Sequence, residues 1–347
     1  MSVDKIISIS IFVLAIVFIV VAQNFFSPYY QNLLNLFAIY IIFAVSYNLI
    51  NGVTGQFSLE PNGFVAIGAY ITALSLLTLD DKIYQFALEE ATPFVLLMET
   101  NLPIALLCSG IVASAVAFCL AFPVFRVRGD YLAIVTLGFG FIIQIFAVNF
   151  PQVTNGAMGF TDIGKSMGIK ANLYITGTLC VLSVLFILNV IKSKYGRAMK
   201  AIRDDEDAAL AMGINTFKNK TSAFCTSAFF EGVGGGLLAV FLTTISPDQF
   251  SFLFTFQLLI IIVLGGLGST TGAILGTILV LGGSEFLVFL DKPMDIFGYE
   301  TPALPGLKMV VFSIILICVM LFARRGIMGD MELGGVLKKL LCRKRDA

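Results

Sequence analysis

The sequence predicts an all-α, polytopic integral membrane protein with about eight to ten transmembrane helices, some of them broken or re-entrant. Hydrophobic residues make up 58% of the 347 positions and charged residues only 13%, and the mean hydropathy is +0.95. Soluble domains are about half apolar and about one quarter charged. The apolar residues are also grouped in runs of about 20, the length that a helix needs to cross the hydrocarbon core.

Ten apolar runs are the candidate membrane helices. They lie near residues 6–22, 33–50, 62–79, 102–122, 131–150, 172–191, 221–241, 254–267, 271–290 and 305–323. The first is too long for the apolar core of a signal peptide, and no small-residue cleavage site follows it. The eighth is short and ends in LGGLGSTTG, which indicates a half-helix or a tight hairpin. We expect residues 1–330 to form the transmembrane domain and 331–347 a basic cytoplasmic tail.

Lysine and arginine are distributed unevenly between the two sets of loops, and this predicts the orientation of the chain. Seventeen of the 22 lie in the N-terminus, in 123–130, in 192–220 and after 323. Only four, Lys82, Lys165, Lys170 and Lys292, lie in the opposite loops. Because positively charged loops stay in the cytoplasm, we expect both termini and the loop 192–220 to be cytoplasmic. Residues 51–61 carry no positive charge, so this rule does not fix their depth.

The composition excludes several classes of function. The formal net charge is zero, which gives no electrostatic basis for binding nucleic acid. The chain has no histidine, and its six cysteines form no C-x-x-C pair. Since histidine is the commonest metal ligand and general base, we predict no metal site, no cofactor and no catalytic residue on this chain.

The stretch GFTDIGKS, from Gly159 to Ser166, matches the phosphate-binding pattern G-x-x-x-x-G-K-[ST]. A working phosphate-binding loop needs a buried strand before it and the N-terminus of a helix after it. The residues that precede this stretch, PQVTNGAM, are instead turn-like and follow a membrane span. The loop 151–171 also faces away from the cytoplasm and its ATP. We therefore interpret the match as coincidental.

The cytoplasmic loop 192–220 is the most charged stretch of the chain. Within it, RAMKAIRDDEDAALAM favours short amphipathic helices, and Gly213 is placed to end the second one. A solvated connecting loop is the alternative interpretation of this charge pattern. However, its spacing resembles the E-A-A-x-x-x-G coupling loop of ABC importer permeases, which docks on cytoplasmic ATPase subunits. The residues that carry this prediction are Arg203, Asp207, Ala208, Ala209 and Gly213, with Asp207 in place of the motif's glutamate.

Five further blocks resemble one permease family in the same order along the chain. They are NGVTGQFSLEPNGFVAIGAY, RGDYLAIVTLGFG, TNGAMGFTDIG, VLGGLGSTTGAILG and LFARRGIMG. The chain is therefore identified as similar to the LivM-type permease subunits of branched-chain amino-acid ABC transporters. The resemblance explains the glycines of the false phosphate-binding motif.

The resemblance implies a function and a set of partners. We expect a permease subunit in the bacterial inner membrane that carries leucine, isoleucine and valine inward by alternating access. It would pair with a homologous LivH-type permease subunit and receive its cargo from a periplasmic substrate-binding protein. ATP and Mg would bind to two cytoplasmic ATPase subunits, so ATP hydrolysis is expected on partner chains and not on this one.

The translocation-path candidates are Gln56, Ser58, Glu231, Gly265 and Gly266. Glu231 lies within the seventh span, where a charge is costly. It is either a pore-lining or gating carboxylate, or a buried carboxyl group bonded to a neighbouring helix or to the partner subunit. The two glycines either line the exit or turn a hairpin.

Gln56 and Ser58 lie in a stretch interrupted by glycine and proline, such as marks a transport path in other membrane proteins. A tight turn at the membrane surface is the alternative. In the family's place for Gly-His this chain has Glu60-Pro61, so details of the family do not carry over to this stretch.

Three other functions are alternatives. Urea and amide permeases share much of the same pattern. A secondary transporter that works alone would need paired intramembrane charges, and Glu231 has no evident basic partner in the spans. A membrane enzyme would need clustered acids, histidine or a nucleophile pair at one depth. We therefore predict a transport subunit and not an enzyme.

Overall fold

The structure is a computed structural model that describes residues 16–86, 92–126, 130–169, 171–288, 294–296, 299–301, 306–322 and 326–329. The chain divides into two compact units, Met1–Leu258 and Leu259–Ala347. The predicted basic tail, 331–347, lies outside the described residues. A transmembrane domain over 1–330 stays a prediction.

The described residues are predominantly helical, which confirms the predicted all-α class. The first unit contains α1 (Ile16–Phe25), α2 (Pro28–Asn48) with a π-helix at its end (Leu49–Val53), α3 (Pro61–Leu76), α4 (Leu79–Gln85), α5 (Pro93–Leu97), α6 (Leu102–Val124), α7 (Asp130–Asn149), α8 (Pro151–Thr154), α9 (Leu173–Lys192), α10 (Lys194–Asp204), α11 (Glu206–Ala211) and α12 (Thr216–Leu242). Short 3-10 turns lie between α8 and α9 (Gly156–Met158) and after α12 (Pro247–Phe250). Helix α13 (Phe252–Gly265) begins in this unit.

The second unit contains the end of α13, then α14 (Thr270–Phe286) and α15 (Leu307–Phe322). Between these two helices lies an antiparallel hairpin of β1 (Met294–Ile296) and β2 (Tyr299–Thr301) that the sequence analysis did not predict. Its register pairs Met294 with Thr301 and Ile296 with Tyr299.

Five helices among the described residues are long and apolar enough to cross a membrane, and two bent pairs bring the number to as many as seven. The five are α2 with its π-helical end, α6, α7, α9 and α12. The pair α3 and α4 bends by 118°, and the pair α13 and α14 by 119°. The second bend confirms the half-helix or hairpin expected for the eighth span. The first predicted span lies partly outside the described residues, and the tenth corresponds to α15, which has 16 residues.

Helix α12 is the central helix of the first unit and packs against α2, α3 and α6. On α6, Ala113, Ala117 and Ala121 recur every fourth residue and so share one face. This small-residue face is fully buried against Phe224 and Ala228 of α12. Small side chains let helix backbones approach closely in a membrane, where packing supplies much of the association energy.

The crossing of α3 and α12 depends on glycine. A Cβ atom at Gly68 would overlap the carbonyl group of Gly232, and one at Gly235 would overlap the carbonyl group of Val65. The two backbones are therefore in direct contact, with no side chain between them. The contact of Gly68 with Gly232 places residue 231 of α12 beside the middle of α3.

Candidate functional site

The site begins at an interruption between α2 and α3. Thr54 N–H donates to the Leu49 carbonyl at 3.1 Å, a bond one residue wider than that of an α-helix, and Gln56 N–H donates to Ile50 O at 3.1 Å. Residues 55–60 are not helical, and α3 starts at Pro61, where the missing N–H is not needed. The whole π-helix is buried. Gly55 and Phe57 of the non-helical stretch are exposed, so the tight surface turn considered from the sequence stays an alternative.

Two polar side chains hold the interrupted backbone. Asn51 bonds Ser58 twice, because Ser58 N–H donates to Asn51 Oδ1 at 2.9 Å and Asn51 Nδ2 donates to Ser58 O at 3.2 Å. Tyr47 OH donates to the same carbonyl at 2.7 Å. These bonds satisfy backbone groups that no helix ladder serves, which is the condition for irregular backbone at membrane depth.

Two carboxyl groups lie beside this segment. Glu60 and Glu231 are both 0% exposed, and both follow residues bound to the same turn of α2. Glu60 lies two residues after Ser58, whose carbonyl accepts from Tyr47 OH, and Glu231 lies one turn after Ser227, whose hydroxyl donates to Ser46 O. Glu231 Oε1 lies 3.0 Å from Ser227 Oγ, one turn back on α12. We call Glu60 and Glu231 the acid pair.

The start of α3 is fixed by further polar contacts. Asn62 N–H donates to Thr255 Oγ1 at 3.2 Å, and the Thr255 hydroxyl donates back to Asn62 Oδ1 at 3.1 Å. Asn62 Nδ2 donates to Phe250 O at 3.2 Å, and Leu59 N–H donates to Thr136 Oγ1 at 2.9 Å. The segment from residue 58 to 62 is thus held from several directions at once.

The predicted coupling loop forms two short helices, α10 and α11. Asp205 caps α11 with its side chain, which accepts a hydrogen bond from Ala208 N–H at 2.9 Å, as Asp does at helix N-termini. Gly213 follows α11 with φ +80°, a left-handed conformation that glycine adopts without strain. Ala209 faces inward at 4% exposure, whereas Leu210 is 44% and Met212 82% exposed. The predicted residues Asp207 and Ala208 are exposed as well.

Two contacts join this loop to the membrane helices. Arg203 Nη1 donates to the Gly52 carbonyl of the π-helix at 3.2 Å, and its stem packs so closely on Gly55 that a Cβ atom there would lie 2.5 Å from Arg203 Cγ. On α11, Glu206 forms a 2.7 Å ion pair with Lys220 of α12. The predicted coupling loop is therefore attached both to the interrupted segment and to the helix that carries Glu231.

The second interruption, in unit two, includes the predicted residues Gly265 and Gly266. Gly266 has φ +118°, and a Cβ atom on it would lie 2.8 Å from the Gly329 carbonyl oxygen. Ile327 N–H donates to Leu264 O at 2.9 Å and Met328 N–H to Gly265 O at 3.1 Å. The backbone of residues 326–329 therefore packs directly on this break. Its place on a translocation path stays a prediction.

The phosphate-loop match packs against neighbouring loops. Phe160 and Ile245 exchange backbone hydrogen bonds at 2.9 and 2.8 Å, and Lys165 pairs with Asp162 at 2.9 Å. Residues 151–169 contain no β-strand other than this single bridge. The next helix, α9, begins only at Leu173. That it binds no nucleotide remains a prediction.

Helix α4 forms hydrogen bonds with the same loop. Gln85 bonds Thr161 in both directions, at 2.9 and 3.0 Å. Hydrogen bonds from Ser166 and then Thr78 lower the pKa of Asp81. Burial lowers the pKa of Lys82, which is 0% exposed and donates to the carbonyl groups of Val95 and Met98.

Comparison with known proteins decides the family. Residues 29–320 match the family described as branched-chain amino acid transport system / permease component. The chain belongs to this family. It is 34% identical over 308 residues to the high-affinity branched-chain amino acid transport system permease protein LivM of Escherichia coli (strain K12), which covers 80% of this chain and 68% of LivM.

Other members of the permease family are more distant. The corresponding LivH protein of Salmonella typhimurium is 24% identical over 269 residues, 72% of this chain and 81% of LivH. The BraD protein of Pseudomonas aeruginosa is 26% identical over 326 residues, 88% of this chain and 97% of BraD. The greater identity to LivM agrees with the predicted LivM type. No solved structure matches the chain.

Within this permease, the structure separates the predicted path residues. Ser58 is 1% and Glu231 0% exposed, whereas Gln56 is only half-buried. Sequence reasoning missed Glu60 as a site residue and treated it only as a departure from the family. The signal available was a charged residue directly before a helix-starting proline inside an apolar region.

Proposed function

We propose that this chain is the permease subunit of an ATP-binding-cassette importer that carries leucine, isoleucine and valine inward across the bacterial inner membrane. Its membership in the permease family supports this function, and the relatives that it resembles bear the names of branched-chain amino acid permeases. The chain performs no covalent chemistry of its own. ATP and Mg bind to two partner ATPase subunits on the cytoplasmic side.

The observation that carries the proposal is the attachment of the coupling loop. Leu210 and Met212 are apolar yet exposed on a charged loop, which suits a surface that another protein covers. Behind that surface, the ion pair of Glu206 with Lys220 and the bond of Arg203 to the π-helix connect the loop to the membrane helices. A movement of the loop by the ATPase subunits would therefore reach α12 and the interrupted segment directly.

The other partners follow from the same assignment. A homologous LivH-type permease subunit completes the channel, and a periplasmic substrate-binding protein delivers the cargo to the outer face. Both termini lie in the cytoplasm, as the distribution of lysine and arginine favours. Alternating access, driven by closure of the ATPase dimer, moves the cargo.

The test is uptake of labelled leucine, with labelled urea alongside, in cells that express the whole complex. We expect leucine uptake to vanish in a matched strain that lacks only this subunit. The substitution Asp207→Lys should abolish uptake too and prevent co-purification of the ATPase subunits. Asp80→Lys is the matched control, because it reverses a charge at an exposed position that the distribution of lysine and arginine predicts to lie on the opposite side of the membrane.

Other results would change the assignment. Loss of urea uptake in place of leucine uptake would keep the architecture and change the cargo. If the intact complex failed to retain any ATPase subunit, the coupling-loop interpretation would be wrong.

A further inference from the structure

The acid pair lies in the core of the permease, at the end of the connections from the coupling loop. Both side chains are 0% exposed. In the part of the chain that the structure describes, neither carboxyl group forms an ion pair. Tyr47 is the further titratable group that interacts with both. Two acids this deep in a membrane protein need a compensating partner.

The oxygens of the pair are unsatisfied. Both carboxyl oxygens of Glu60 and Oε2 of Glu231 are buried without a hydrogen-bond partner, and so is the hydroxyl of Ser58, two residues before Glu60. A buried polar atom without a partner costs about 1–3 kcal/mol. Three orphaned acceptors in one buried region therefore point to a donor group that binds there during the transport cycle.

The hydrogen bonds of Ser227 show how charge is divided within the pair. Ser227 Oγ lies 2.6 Å from the Ser46 carbonyl oxygen and 3.0 Å from Glu231 Oε1. A hydroxyl has one hydrogen, and a carbonyl oxygen only accepts. The Ser227 hydrogen therefore goes to Ser46, and the contact with Oε1 uses a hydrogen from Glu231. Glu231 is then a neutral acid, which leaves Glu60 as the member of the pair that can carry the negative charge when a cation binds.

We propose that the acid pair binds the α-ammonium group of the amino acid in transit. This inference rests on the proposed function, because it concerns the cargo class assigned there. An ammonium group has three N–H donors and no acceptor, which matches the three orphaned oxygens in number and kind. In the occupied site an ionised Glu60 balances this positive charge, so the site carries no net charge in the membrane.

The cargo reaches the pair when α3 and α12 separate. Glu231 directly precedes Gly232, whose carbonyl group contacts Gly68 of α3, and Glu60 directly precedes the first residue of α3. Glu231 thus lies beside one of the backbone contacts that must open for a solute to pass between these helices, and Glu60 lies at the start of one of the two helices. Separation exposes both acids together.

The first test is leucine uptake by the full complex in membrane vesicles. Glu60→Gln removes the charge, so we expect the maximal rate to fall about tenfold or more, as when one partner of a buried charge pair is lost. Glu231→Gln keeps a donor for Ser227 and one acceptor, so its rate should fall less than that of Glu60→Gln. Glu60→Asp should restore part of the loss, and Glu99→Gln, at an exposed position, should have no effect. The KM should not change, because the binding protein sets it.

The second test is competition for labelled leucine on the purified complex in nanodiscs without the binding protein. Leucine amide, which keeps the ammonium group, should compete in wild type and lose its effect in Glu60→Gln. The compound 4-methylpentanoate, which lacks the ammonium group, should not compete. Equal rates for wild type and Glu60→Gln, equal losses for Glu60→Gln and Glu231→Gln, or competition by 4-methylpentanoate would overturn the inference. If the wild-type complex carried no leucine at all, the proposed function itself would fail instead.

Discussion

The ion pair between Glu206 and Lys220 is the contact whose strength can be worked from the structure. Lys220 is 6% exposed and Glu206 26%, and the charged atoms are 2.7 Å apart. At that separation and an effective dielectric constant of about 20, the Coulomb attraction is about 6 kcal/mol. Removing the lysine from water costs several kcal/mol. We therefore expect a net coupling of about 1–2 kcal/mol between the two residues.

This coupling predicts how firmly α11 is held on α12. In Lys220→Met, amides of α11 should exchange with solvent about five- to thirty-fold faster, since about 1.4 kcal/mol corresponds to a factor of ten. Hydrogen exchange followed by mass spectrometry on the complex in nanodiscs measures this. A double-mutant cycle with Glu206→Gln isolates the pairwise energy. Leucine uptake should fall in parallel.

Lys218 supplies the matched control. It lies two residues before Lys220 on α12 and is exposed, so Lys218→Met removes the same charge without breaking the ion pair. Its α11 exchange should equal that of wild type. If Lys220→Met also exchanged like wild type, or if the two substitutions of the cycle were additive, the ion pair would not hold the loop and the reasoning would be refuted.

Two further predictions concern packing and pH. Gly68→Ala places a methyl group on the Gly232 carbonyl and should destabilise the permease by about 1–3 kcal/mol, measured as thermal stability in detergent. Gly138 has open space around it, so the control Gly138→Ala should be neutral or slightly stabilising. Equal stability of the two variants would contradict the close contact between α3 and α12. The pKa of Asp81 in the folded protein is lowered from 3.8. The ionised Asp81 should therefore stabilise the contact between α4 and the loop at pH values above 3.8, and this stabilisation should be lost as the pH falls through the lower pKa of the folded state. Hydrogen exchange of the α4 amides, corrected for intrinsic rates, measures this stabilisation. The substitution Asp81→Asn should remove its pH dependence. If Asp81→Asn showed the same pH profile as wild type, the result would count against the hydrogen bond from Ser166.

The sequence predicted the helices well because the length of an apolar run is a local property. The bend near Gly266 was also foreseeable, since glycine and threonine interrupt the run there. The hairpin of β1 and β2 was not predicted, because its three-residue strands are too short to produce a periodic signal.

The candidate site was predictable only in part. Ser58 and Glu231 were identified from polarity within apolar surroundings, which is again local. The pairing of Glu231 with Glu60 depends on the approach of α3 to α12, and that approach depends on glycines that could equally have served another helix. The attachment of Arg203 to Gly52 joins residues far apart in sequence, so no spacing rule could reveal it.

The connections from the coupling loop end at the two members of the acid pair. Arg203 holds the π-helix, which leads through Asn51 and Ser58 to Glu60. Glu206 holds Lys220 on α12, which leads two turns later to Ser227 and then to Glu231. A displacement of the loop therefore moves both carboxyl groups, each through its own helix. Since the carboxyl groups are held by different helices, unequal displacements change the distance between them, and an ammonium group bound by both would be released when that distance grows.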